Sequence, residues 1–120
     1  MRAVNTTRGT VLGDRVRVAD GSLTRLVGLL GERELAPGDG LLILPSQGVH
    51  TWGMRFAIDV VVLDDDWRAL ALRPAMPPWR MTRLFFKSSA VLELPSGVIR
   101  STSTSVGDVL DFSRVAATGS

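Results

Sequence analysis

The stretch His50-Thr51-Trp52-Gly53-Met54-Arg55-Phe56-Ala57-Ile58-Asp59-Val60-Val61-Val62-Leu63, followed by Asp64-Asp65-Asp66, decides how the chain is read. From Trp52 to Ile58 the large apolar residues take every second position, with Gly53, Arg55 and Ala57 between them and Asp59 next. A period of two predicts a strand with one buried face. From Val60 to Leu63 the run is wholly apolar and mostly β-branched, the pattern of a strand covered on both sides. The only histidine, His50, stands at the entrance, and a lone carboxylate, Asp59, stands in the middle. A site is expected here.

Outward from that stretch, short apolar runs alternate with turn residues. Arg2–Thr6 and Thr10–Ala19 read as a hairpin around Thr7-Arg8-Gly9, and Leu41–Leu44 as a short buried strand. Asp20 is placed to cap a helix in which Leu23, Leu26, Val27 and Leu30 form one apolar stripe, with Gly31 as its stop. After the aspartates the chain reverses into Arg68–Arg73. Pro74-Ala75-Met76-Pro77-Pro78-Trp79-Arg80 is expected to leave the ladder, because proline lacks a donor. Leu84–Phe86, Ala90–Leu94 and Val109–Phe112 read as further strands, and Val98–Ser105 as one weak helical turn. The fold class this predicts is mainly β, bordering on α+β: a compact antiparallel barrel-like sheet with one short packed helix.

Composition sets the limits. At 120 residues and 45% apolar content the chain is one domain, with a core over about 10–113 and a frayed C-terminal tail. The absence of cysteine removes disulfides, thiolate zinc sites and thiol nucleophiles, and one histidine rules out a closed structural zinc site of the usual type. The longest fully apolar run is far short of a membrane span, and the first residues turn polar at once, so a soluble cytoplasmic protein is the expectation. Net charge is only +2. Its distribution says more: Arg68, Arg73, Arg80, Arg83 and Lys87 lie between Trp67 and Ala90 with no acidic residue among them.

The central stretch also resembles the signature of domain-of-unknown-function family 192, small prokaryotic proteins that sometimes carry a secretion signal. The flanking pieces agree: Gly28-Leu29-Leu30-Gly31, Gly40-Leu41-Leu42, Pro78-Trp79-Arg80, Leu92-Glu93-Leu94-Pro95-Ser96-Gly97 and Val106-Gly107-Asp108. The resemblance runs in order from about Val18 to Phe112. It departs at Trp52, where relatives tend to have an aromatic such as phenylalanine, at Ala57, where they tend to have proline, and in the turn reading Asp66-Trp67, where they often have a glycine. Some carry a cysteine near the place of Ser46. The resemblance implies a compact β-rich fold and no established reaction.

The candidate ligand-binding residues are His50, Trp52, Met54, Arg55, Asp59, Trp79 and Arg80. Two roles for Asp59 stand side by side. It either receives loop amides or an arginine and holds a corner of the sheet closed, or it lines a pocket with Trp52 and Met54. Asp64-Asp65-Asp66 reads as a solvated turn, without the glycine and distal glutamate of a calcium-binding EF-hand. Glu93, between two leucines, reads as a residue on the other face of its strand; turned inward, it should pair with an arginine. The leading function is a non-enzymatic ligand-binding module with a small pocket beside Trp52–Asp59 and Trp79–Arg80 as its lid, with a small anionic molecule as candidate partner, no cofactor and no metal. The alternatives are a small enzyme using Asp59 with His50 or an arginine, and a nucleic-acid or protein adaptor using Arg68–Lys87.

Overall fold

A computed structural model describes residues 1–19, 35–47, 56–78, 80 and 82–114. The helix expected from Asp20 lies outside them. Among the described residues, eight strands form two sheets. β1 (Arg2–Asn5), β2 (Thr10–Gly13) and β8 (Leu110–Ser113) make a three-stranded antiparallel sheet in the order β2-β1-β8. β3 (Arg15–Ala19), β4 (Asp39–Ile43), β5 (Ile58–Leu63), β6 (Ala69–Met76) and β7 (Ala90–Pro95) make a five-stranded sheet in the order β3-β4-β7-β5-β6. One helical turn, α1 (Val98–Ser101), follows β7 and buries Ile99. Among the described residues no helix is long and apolar enough to cross a membrane.

The protein is mostly β, as the spacing of its strands predicts, with two departures in pairing. β3 and β4 run parallel, in a sheet that is otherwise antiparallel. Parallel neighbours need a crossover of roughly a dozen residues or more, and the chain between Ala19 and Asp39 is long enough to provide one. The expected strand Thr10–Ala19 is split at Asp14, so that β2 and β3 belong to different sheets. Gly13 makes the crossing possible. A Cβ there would stand 2.9 Å from the Gly38 carbonyl oxygen, which accepts the amides of Asp14 at 3.1 Å and Arg15 at 2.9 Å.

The five-stranded sheet is buried on both faces, which is why β5 and β7 read as nearly unbroken apolar runs. Leu42, Val61, Leu63, Leu92 and Leu94 face the three-stranded sheet and pack with Ala3, Leu12, Leu110 and Ile99. Leu41, Ile43, Ile58, Val60, Val62 and Val91 face the other way and pack with Met76 and Phe85, with Leu35, Phe56 and Leu70 at the margin. All six residues of β5 are buried.

Two local expectations need correction. The strand expected to end at Arg73 continues through Pro74 to Met76. It can do so because β6 is an edge strand, where proline's missing donor faces no ladder. Between the pairs Val60–Arg73 and Ile58–Met76 it bulges, with Ala75 at φ 50°. Leu84–Phe86 is no strand: its backbone forms a turn, with the Ser88 amide donating to the Phe85 carbonyl.

Candidate functional site

Asp59 is fully buried on the face of β5 that looks toward α1. Its Oδ1 accepts the Ala75 amide at 2.8 Å, and its Oδ2 accepts the amides of Ile99 at 2.8 Å and Gly97 at 3.2 Å. One carboxylate thus satisfies the amide freed by the β6 bulge and two at the start of α1, tying three segments together. This is the first of the two roles weighed from the sequence.

Glu93 is the opposite case. Alternation along β7 turns it away from Leu92 and Leu94, as expected, but the face it joins is the second core. It is wholly buried, and neither carboxyl oxygen has a hydrogen-bond partner; the arginine expected for an inward-facing Glu93 is absent among the described residues. Burial pushes its carboxyl up to about 8, from an ordinary value near 4.5. In strand register Arg17, Leu41, Glu93, Val60 and Arg73 form one row across the sheet, with Glu93 in the middle and an exposed arginine at each end.

Phe85 packs on that same face. Its segment is held by main-chain bonds to the loop before residue 48: the Phe85 amide donates to the Gln47 carbonyl at 2.8 Å and the Ser46 amide to the Ser89 carbonyl at 3.1 Å. The Ser88 hydroxyl adds a bond to the Ser46 carbonyl at 2.7 Å. Two guanidinium groups sit on the Phe85 ring, Arg83 at 4.3 Å and Arg73 at 5.6 Å from its centroid. Each gains from the ring's negative face, while the two cations repel one another. The ion pairs among the described residues are Arg8–Asp108, Arg15–Asp14 and Arg15–Asp39, so no carboxylate there neutralises Arg73 or Arg83. A cleft of about 340 Å³ lies against Phe85 between Arg83 and Lys87, and one of about 290 Å³ runs along Pro74–Pro77 between Arg73 and Arg80. A third, of about 520 Å³, is bordered by Arg15 and Arg17, but Arg15 already pairs with both of its aspartates.

Of the residues singled out from sequence, His50, Trp52, Met54, Arg55 and Trp79 lie outside the described residues. Arg80 borders the cleft with Arg73, and Asp59 lies on the far face of the sheet from Glu93. Asp64, Asp65 and Asp66 bring carboxylate oxygens within 4.8 Å of one another, with Asp64 Oδ1 accepting the amides of Asp66 and Arg68, each at 2.9 Å. These are the bonds of an Asx-type turn. Trp67 takes φ 61° there and packs on Phe112 with ring centroids 5.0 Å apart. Glu93, Arg73, Arg83 and Phe85 were missed as a group. Each was visible alone, as a charge in an apolar strand or a member of the basic strip, but only strand order brings them to one face.

The comparisons agree with the architecture. A UPF0127 protein of Thermococcus sibiricus is 32% identical over 117 residues, covering 91% of this chain and 73% of its own. A UPF0127 protein of Pyrococcus furiosus is 31% identical over 118 residues, covering 93% of this chain and 98% of its own. Among solved structures, a protein of unknown function from Novosphingobium aromaticivorans superimposes with a TM-score of 0.77 at 21% identity, over 93% of this chain and 84% of that one. A candidate transcription regulator from Sinorhizobium meliloti gives 0.72 at 22% identity, over 92% and 89%. At such identities the structures speak for the fold alone. The family model DUF192, described as Uncharacterized ACR, matches residues 3–112, and the chain belongs to that family.

Proposed function

We propose that the protein is a non-enzymatic module that binds a small anionic molecule at the cleft beside Phe85, with the cleft along Pro74–Pro77 as its neighbour. The observation that carries this reading is the pair of guanidinium groups on one aromatic ring, without a neutralising carboxylate among the described residues. An anion between Arg73 and Arg83 relieves their repulsion and accepts charge-assisted hydrogen bonds. Arg80 belongs to the site as a wall of the neighbouring cleft. Asp59 belongs to it as the strut that holds the Ala75 bulge beside Arg73. His50, Trp52, Met54, Arg55 and Trp79 enter by sequence, the first four because they lead directly into β5 and Trp79 because it precedes Arg80. The setting proposed is the cytoplasm.

Against catalysis, Asp59 spends its oxygens on three amides and Glu93 has no titratable partner among the described residues, so neither supplies an acid–base pair there. The test is a two-dimensional amide spectrum titrated first with inorganic phosphate and simple carboxylates, then with short single-stranded DNA. Saturable shifts around Phe85 with small anions, lost in an Arg73→Ala/Arg83→Ala double variant, are the expected result. Salt-sensitive shifts along Arg68–Lys87 with DNA, and none with small anions, would replace this reading by the adaptor.

A further inference from the structure

A carboxyl group with no exposure and no hydrogen-bond partner among the described residues is the least expected feature of this core. Burying an unpaired carboxyl costs free energy that a leucine of similar size would not. Packing therefore does not account for Glu93. Three observations relate it to the anion site. Glu93 and Arg73 stand in one cross-strand row separated only by Val60, two strand spacings or about 10 Å at the backbone. Phe85, which carries the guanidinium groups of Arg73 and Arg83, packs on the same face as Val60 and Val91, the neighbours of Glu93. The surface between the acid and the two cations is apolar.

We propose that Glu93 is the second polar anchor of the ligand site and that the ligand is a small zwitterion with an aliphatic body. Its anionic group lies on Arg73 and Arg83, its amine reaches the Glu93 carboxyl, and its methylene chain covers Val60 and the edge of Phe85. The inference rests on the anion-binding reading above and supplies its ligand class. An ammonium group brings both things that Glu93 lacks, hydrogen-bond donors and a neutralising charge. Among the described residues, the charged groups on the Glu93 face are Arg17 and Arg73, exposed at the ends of its row, and Arg83 over the Phe85 ring. β4 and β5 present only Leu41 and Val60 at its level. In the empty protein at neutral pH Glu93 carries its proton. An incoming ammonium ion displaces that proton to solvent, so one proton is released for each ligand bound as the zwitterion. Because Glu93 is enclosed, occupancy requires the packing on its face to open; on that face the Phe85 segment is held by a few loop bonds rather than a strand ladder.

The test uses ω-amino acids of increasing chain length, from γ-aminobutyrate to ε-aminocaproate, beside the matching simple carboxylates and hexylamine. Binding is read by amide shifts and by calorimetry in buffers of different ionisation enthalpy. At least one amino acid should bind about tenfold tighter than its carboxylate, with proton release. Glu93→Gln should reduce it to the level of the carboxylate and abolish the release. Glu93→Leu serves the same purpose should the glutamine variant fail to fold. If no amino acid exceeds its carboxylate, or if its advantage survives loss of Glu93, the zwitterion inference is overturned and anion binding stands. If carboxylates do not bind, or bind without Arg73 and Arg83, the anion reading falls as well. Binding of hexylamine alone, dependent on Glu93, would leave an amine site and overturn the zwitterion.

Discussion

At the scale of single residues, two buried carboxylates one strand apart have opposite surroundings. Asp59 accepts three backbone amides, whereas Glu93 accepts nothing among the described residues. The difference has a pH signature. The folded protein keeps the Glu93 proton up to about pH 8, while the unfolded chain releases it near its ordinary value of 4.5. Between those limits the folded state binds more protons, so stability falls as pH rises through that window. Glu93→Leu should remove the slope. Urea melts are expected to show the variant more stable than the parent at pH 8 and above, with the gap narrowing by roughly 1 kcal/mol per pH unit toward pH 5. A gap that does not change with pH would mean that Glu93 has a partner when folded. The Leu-Glu-Leu alternation correctly turned Glu93 away from its neighbours. It carried no information that the other face is also a core, because that depends on what packs there.

At the scale of elements, the transition from β2 to β3 shows how little room one residue can leave. Gly13 sits where the chain passes from one sheet to the other, against the turn at Gly38. The nearest atom to a new Cβ would be a backbone oxygen already accepting two amides, so it cannot swing aside as a flexible side chain would. Gly13→Ala is expected to lower stability by about 1–3 kcal/mol, measured by chemical denaturation. β6 shows the converse. Its proline looked like a strand end, and in a central strand it would have been one. At the edge it is accommodated, because Asp59 takes up the Ala75 amide that the bulge exposes.

At the scale of the whole molecule, chain ends far apart in sequence are joined by a buried polar network around Asp108. Its Oδ2 accepts from Asn5 at 2.9 Å, the Ser105 amide at 2.9 Å and Arg8 at 3.2 Å. Asn5 also donates to Thr104 at 3.1 Å. Burial alone would raise the Asp108 carboxyl, but the bonds from Asn5, Ser105 and Arg8 outweigh it and hold it below its ordinary range. A carboxylate lowered in this way contributes stability at neutral pH that is lost as pH falls through its folded value. Asp108→Asn, which keeps an oxygen acceptor without the charge, should melt earlier at pH 7, by about 1–2 kcal/mol. The two proteins should converge in acid; a deficit that persists there would point to packing instead of charge.

Much of the fold was legible along the chain. Periods of two, glycine and proline punctuation and the Asp64 turn located most of the strands and the one short helical turn after β7, because those signals depend on neighbours a few residues away. The amino-acid sequence by itself determined that this is a β-rich chain without cysteine, and that five of its cations lie between Arg68 and Lys87 with no acidic residue among them. Only the tertiary structure decided that β3 and β4 run parallel, that Glu93 is enclosed without a hydrogen-bond partner among the described residues, and that Arg73 and Arg83 meet on Phe85. Each of those facts depends on which strands become neighbours and which faces are covered. Such pairings join residues dozens of positions apart, beyond the reach of any local periodicity.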